Sequence, residues 1–372
     1  MRSVGVEEEL LLVSEETGAP VAIATYVLDR EAAPGVPDLT AELQQEMIEI
    51  VTRPTLSGDE LHTEIVEGRA RADAAAREIG ARAVALATSP IAVLPHTTMH
   101  GRYQQMAARY GITARRTLVC GCHVHVSIDS PEEGVAVLDR IRVWLPVLLA
   151  LSSNSPYADG EDTEYASYRS VAWRQWPSAG PLPLLGSPTG YEDHARRLRS
   201  TGVLLDEGMF YFDARLARAH PTVEIRVADI CAGSETATAI AMLARALVDT
   251  AAQEWRDGRP APDVTAAELR LDSWQAALRG LSGDLVHPLE RTLRPASVVV
   301  NALLSHVSHA LERSGNVERV HGELARLASG QSGAQLQRAA FHRTSSLQAV
   351  VADAIARTHA TTGTFSPRPE PA

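Results

Sequence analysis

The sequence predicts an α+β fold with a mainly antiparallel sheet, and three observations lead there. Short stretches rich in valine, isoleucine and leucine read as strands at residues 5–13, 46–52, 117–128 and 222–230. Helical patterning fills the gaps between them, and from Ser234 to about Thr358 it takes over the chain. The strands also hold the chemically unusual residues, so function is expected on the sheet.

The first strand, GVEEELLLV at 5–13, sets the problem, because Glu7, Glu8 and Glu9 sit inside an apolar run. Neighbouring carboxylates repel, and burying them is costly unless a cation pairs with them. EMIEIVT at 46–52 reads as the second strand, stopped by Pro54. Ser57 then opens a helix predicted to run to about Thr88, with Ser57 and Glu60 spaced as a capping box. TLVCGCHVHVSI at 117–128 alternates strictly and reads as a strand throughout. One helix is predicted over 131–151, followed by the loop-rich SSNSPYADGEDTEYASYRS. TVEIRVADI at 222–230 is the last clear strand, and the helices beyond it break near DGRPAPD at 257–263. The tail at 361–372 reads as disordered, which leaves 1–360 as a single functional domain.

Composition narrows the chemistry. At 372 residues with 45% hydrophobic and 22% charged content, the chain can bury a sizeable core. Its net charge of -11 argues against general attraction to nucleic acid. No lysine occurs, so all 35 basic residues are arginines. A P-loop lysine, a Schiff-base lysine and a lysine nucleophile are thereby excluded. Any phosphate must be met by arginine, backbone amides or metal. Cys120, Cys122 and Cys231 are too few for a disulfide framework. The Glu triplet arrives before any apolar leader could form, and VWLPVLLALSS at 143–153 is far short of a membrane span. A cytoplasmic protein without membrane partners is the expectation.

Residues two apart on a strand share a face and lie roughly 7 Å apart. Glu7 and Glu9 therefore point together, with Val6, Glu8 and Leu10 opposite. His123 and His125 share a face, and so do Glu224 and Arg226, each pair backed by apolar residues. Glu49 sits between Ile48 and Ile50 in the same style. A solvated sheet face would explain any one of these alone, but it would ordinarily include serine, threonine and lysine. Here the polar faces are almost wholly Glu, His and Arg, which suits a hard cation such as Mg²⁺ or Mn²⁺. Zinc fits less well, because alternation sets the thiols of Cys120 and Cys122 opposite the imidazoles. Only a bulge would let them converge.

GVEEELLLV, IEIVT, CGCHVHVSI, SNSPYADGEDTEYASYRS, RQWPSAGP and PTVEIRVADI, in that order, resemble the carboxylate–amine ligases of the glutamate–cysteine ligase type 2 (YbdK-like) family. The likeness runs from about Gly5 to near Arg357. It implies a glutamine-synthetase-like fold, in which a curled, mainly antiparallel sheet forms a funnel flanked by helices. It also implies ATP-dependent joining of a carboxylate, typically the γ-carboxylate of glutamate, to an amine such as cysteine. By this resemblance Glu7, Glu9, Glu49, His123 and Glu224 bind metal, Mg²⁺ or Mn²⁺, with ATP as co-substrate. Arg226 contacts phosphate, Arg169 binds the substrate carboxylate, and His125 and Tyr168 join it as substrate-binding residues. A homo-oligomer is compatible with the long helical C-terminal region.

The chemistry agrees with that implication. A carboxylate is a poor electrophile until phosphorylation turns its oxygen into a leaving group that an amine can displace. Metals and arginine neutralise the charge on the transferring phosphoryl, and arginine can grip a carboxylate through two parallel hydrogen bonds. The sequence departs from the family pattern at Ala158, where an aromatic is usual, and at Glu164, where glycine often stands. Both flank the expected substrate loop and leave the acid and amine open. Trp173 and Trp176 either line the acceptor pocket or pack the core. Two rival readings stay open at this point. The same cluster could activate water in a metal-dependent amide hydrolase, or the chain could bind nucleotide without catalysis.

Overall fold

The computed structural model describes residues 1–30 and 38–360, so the tail read at 361–372 lies outside the described residues. In chain order the first half holds β1 (Val4–Ser14), α1 (Ala24–Arg30), β2 (Asp38–Ala41), β3 (Met47–Val51), α2 (Gly58–Arg77), β4 (Ala81–Val84), α3 (Gly101–Tyr110), α4 (Ile112–Arg116), β5 (Gly121–Ser127), α5 (Pro131–Ile141), α6 (Leu145–Ser152) and the two-residue strands β6 (Tyr157–Ala158) and β7 (Glu161–Asp162). The second half holds α7 (Tyr168–Trp173), α8 (Pro188–Ser200), β8 (Ala214–Leu216), β9 (Thr222–Asp229), α9 (Ser234–Arg256), α10 (Ala266–Arg279), β10 (Asp284–Val286), β11 (Leu293–Pro295), α11 (Ala296–Ser314), α12 (Val317–Arg326), α13 (Gly333–Thr344) and α14 (Leu347–Thr358).

The main sheet runs β2-β3-β1-β5-β9-β8, with β4 on the C-terminal end of β1, and every pairing in it is antiparallel. The edge strands β2 and β8 do not pair with each other, so the sheet stays open. Glu42, just past β2, and Arg215 on β8 nonetheless line one cavity, which requires the sheet to curl. Behind it, Val6, Cys122, Val124 and Ile225 are buried against α5, α6 and α9. Leu10 and Leu12 bury toward β4 and α14 in a second cluster with Val351 and Ile355. Period-two alternation thus places the apolar half of each strand in a core and leaves Glu7, Glu9, Glu49 and Glu224 on the concave side.

Three predicted boundaries move, each for a local reason. The helix expected to reach Thr88 ends at Arg77, and Gly80 at φ +72 turns the chain into β4. Ser57 caps it by accepting from the Glu60 amide, but the Glu60 carboxylate is taken by the Thr55 hydroxyl, so the capping box is half-made. The helix expected over 131–151 is two, because Pro146 lies in the first turn of α6 and cannot continue α5. The strand expected from Thr117 starts at Gly121. The hairpin β10–β11 inside the helical C-terminal region had no counterpart in the sequence reading.

A register shift does occur in β5 against β9, between Cys122 and Val124. The thiols still do not join the imidazoles. Cys122 is buried in the core behind the sheet, and among the described residues no metal-capable group includes a cysteine.

Candidate active site

Strand register builds the site. Glu9 lies opposite Glu49, Glu7 opposite His123, His125 opposite Glu224, and Glu224 opposite Arg215. Directly opposed residues have Cβ atoms about 5 Å apart, so β3, β1, β5, β9 and β8 together display one polar row. Three groups bring their ligand atoms within 4.8 Å of one another: Glu7 with Glu49 and His123, Glu7 with His125 and Glu224, and Glu9 with Glu42 and Glu49. Glu8 faces the other way, where Arg69 of α2 donates to both its oxygens at 2.8 and 2.6 Å.

The row opens on a polar cavity of about 200 Å³, lined by Glu7, Glu9, Glu42, Glu49, His123 and Arg226 together with Arg102, Tyr103, Trp173, Trp176, Tyr211 and Arg215. Trp173 and Trp176 pack on Tyr211 with ring centroids 4.7 and 5.5 Å away, so these rings are both wall and local core. Beyond Glu7 lies a more apolar hollow of about 300 Å³, walled by Gly5, Thr52, Pro54, His125, Pro221 and Thr222. Glu7 borders both chambers.

Burial works to raise the Glu7 carboxyl, but hydrogen bonds from His123 and His125 outweigh it and hold Glu7 well below the usual range. Burial also works against Glu224, and the neighbouring Arg226 and Arg215 pull its pKa down to about 2. Across the cavity the balance reverses. Burial and then the charge of Glu9 push Glu42 up to about 8, and burial with Glu42, Glu7 and Glu9 raises Glu49 well above its ordinary value. His123 is lowered by burial and by Arg226. Hard oxygen donors massed without enough positive charge, plus imidazole nitrogens, fit a divalent cation of the Mg²⁺ class.

All three expected substrate residues lie outside this cavity's lining: His125 walls the apolar hollow, and Arg169 and Tyr168 lie elsewhere. Arg169 is buried beside Gly121; its Nη1 and Nη2 reach the carbonyls of Val227 and Arg226 at 3.4 Å, and its Nε has no partner. Asp229 organises its surroundings by accepting from the Asn154 amide at 2.9 Å and from the Ser155 and Ser167 hydroxyls at 2.7 and 2.8 Å. Ser155 in turn accepts from the Arg169 amide at 3.0 Å. Tyr168 opens on a third cavity, of about 300 Å³, which meets the first at Thr117 and Val119.

The family described as "Glutamate-cysteine ligase family 2(GCS2)" matches residues 3–357. The chain belongs to glutamate-cysteine ligase family 2. A relative from Streptomyces avermitilis named "Putative glutamate--cysteine ligase 2-1" is 50% identical over 360 residues, covering 96% of this chain and 99% of the relative. One from Streptomyces coelicolor, "Putative glutamate--cysteine ligase 2", is 48% identical over 97% of this chain and all of its own length, 100%. Among solved structures, glutamate–cysteine ligase from Francisella tularensis in complex with AMP superposes with a TM-score of 0.70 at 13% identity, covering 97% of this chain and 89% of that one. A bifunctional glutathione synthetase from Pasteurella multocida superposes at 0.67 and 17% identity, over 96% of this chain and 52% of that one. The α+β fold with its mainly antiparallel sheet is therefore the one these two solved proteins share.

For this member of glutamate-cysteine ligase family 2, sequence reading missed Glu42, Arg102, Tyr103, Tyr211 and Arg215. None sits on a strand long enough to show a period. One signal was available for Glu42, since the β2–β3 turn brings Thr40 opposite Glu49 and carries Glu42 into the same cluster.

Proposed function

We propose that the chain is an ATP-dependent carboxylate–amine ligase that joins the γ-carboxylate of glutamate to cysteine or another amine through an acyl phosphate. The observation that carries this reading is the polar row of Glu7, Glu9, Glu42, Glu49 and Glu224 with His123 and His125, ending on Arg215 and Arg226. These acids and imidazoles would hold Mg²⁺ or Mn²⁺, which supplies positive charge against the phosphates when bound. The apolar hollow beyond Glu7 suits a flat heteroaromatic base, and the polar cavity suits the acid and the amine.

Arg226, whose Nε is buried and unpartnered, neutralises charge on the transferring phosphoryl. Arg169 holds the substrate carboxylate beside Gly121, and Tyr168 and His125 border the two flanking spaces. The acid attacks the terminal phosphorus, ADP departs, and the amine then expels phosphate. Cysteine is one acceptor to try among many, and the cytoplasm is the expected setting.

The test screens amino acids against amines with Mg²⁺ and ATP, reading ADP release and product mass. ADP formation that requires both acid and amine is expected. Amide hydrolysis indifferent to ATP would sink the reading.

A further inference from the structure

We propose that Arg215 is a second phosphate-binding residue, held on Glu224 until a divalent cation takes that carboxylate. This rests on the ligase reading above. The chain has no lysine, so phosphate charge falls to arginine. Three arginines line the polar cavity: Arg102, Arg215 and Arg226. Arg102 is committed elsewhere, its Nε and Nη2 donating to Asp206 at 2.6 and 2.9 Å.

Arg215 faces Glu224 across the β8–β9 pairing. Its Nε and Nη2 donate to the Glu224 oxygens at 2.6 and 3.1 Å, and Nη1 donates to the Phe210 carbonyl at 3.1 Å. Arg226 donates to the same carboxylate. A carboxylate offers about four lone-pair sites, and these two arginines already use most of them. Yet Glu224 also stands within 4.8 Å of the ligand atoms of Glu7 and His125, where a cation would sit. One carboxylate cannot serve two guanidinium groups and a dication at full strength.

The arginine with room to yield is Arg215. Arg226 is buried on a strand paired on both sides, whereas Arg215 stands on a three-residue edge strand with its side chain 20% exposed. When a cation claims Glu224, the Arg215 fork is left facing the cavity with donors to spare, and a phosphate is its natural partner. Cation and phosphate then reinforce each other's binding, and the coupling runs equally in both directions.

The experiment titrates Mn²⁺ into nucleotide-free protein by calorimetry, for wild type, Arg215→Gln and Arg215→Lys, with and without sulfate as a guanidinium ligand. Loss of a charge-assisted competitor should tighten Mn²⁺ binding in Arg215→Gln roughly tenfold. Sulfate should tighten Mn²⁺ binding to wild type and leave Arg215→Gln unchanged. In turnover, Arg215→Gln should raise the KM for ATP and lower kcat, with Arg215→Lys recovering part of the loss. Equal or weaker Mn²⁺ binding by a folded Arg215→Gln overturns the proposal. So does the absence of a sulfate effect on wild type, which needs no variant to fold. If the Mn²⁺ pattern holds while wild type never releases ADP with any acid and amine, the exchange at Glu224 stands and the ligase reading falls.

Discussion

Glu42, one of the acids proposed to hold the cation, costs stability when none is bound. Its pKa of about 8 in the fold exceeds the roughly 4.3 of an unfolded glutamate. Folding therefore takes up a proton between those values; the stability from this group is complete below the lower one and lost as pH climbs through 8. Chelated protein should accordingly melt at progressively lower temperature from pH 5 to pH 9, and Mg²⁺ should flatten that slope, as a fluorescence melting series would show. Glu42→Gln should stabilise the metal-free protein at pH 9 and leave it unchanged at pH 4, read by urea unfolding, while abolishing most turnover. A variant that lost activity and stability together would argue for a plain packing role. Glu7→Gln should cut Mg²⁺-dependent ADP release by about a hundredfold or more, and full activity in that variant would remove Glu7 from the metal site.

Among the elements, the segment from α6 to α7 depends on a single strand residue. Asp229 is fully buried and receives donors from Asn154, Ser155 and Ser167, so it fixes where α7 starts and where Arg169 lies. Asp229→Ala would strand those donors and should cost about 3 kcal/mol, measured by chemical denaturation. Gly121→Ala probes the same spot without touching the network. A Cβ there would stand 2.2 Å from Arg169 Nη2, at a backbone position that needs no positive φ. The guanidinium must shift, so kcat/KM for the acid should fall between tenfold and about a hundredfold, with the KM for ATP little changed. Equal effects on both substrates would detach Arg169 from acid binding.

Across the whole molecule, Glu8 and Arg69 join β1, α2 and the chain after β9, since Arg69 also donates to the Cys231 carbonyl at 2.8 Å. Both side chains are 1% exposed. Arg69→Ala should therefore cost about 3–5 kcal/mol, whereas replacing both partners with leucine should cost far less, a contrast thermal unfolding can read. Much of this was legible in advance. Strands β1, β5 and β9 were readable because apolar residues on their backs alternate with charged or imidazole residues on their fronts, which prints a period of two on the residues. β4 was not, because ARAV follows an alanine-rich helix and four residues carry no period of their own. Glu42 and Arg215 were hidden for the same reason, on segments whose place is decided by distant neighbours. The shared wall at Glu7 has a last consequence. If nucleotide and acid occupy the opposite chambers that Glu7 divides, neither stands in the other's space, and neither must wait for the other to arrive or depart. Steady-state kinetics should then fit random addition, with intersecting reciprocal plots and no compulsory leading substrate.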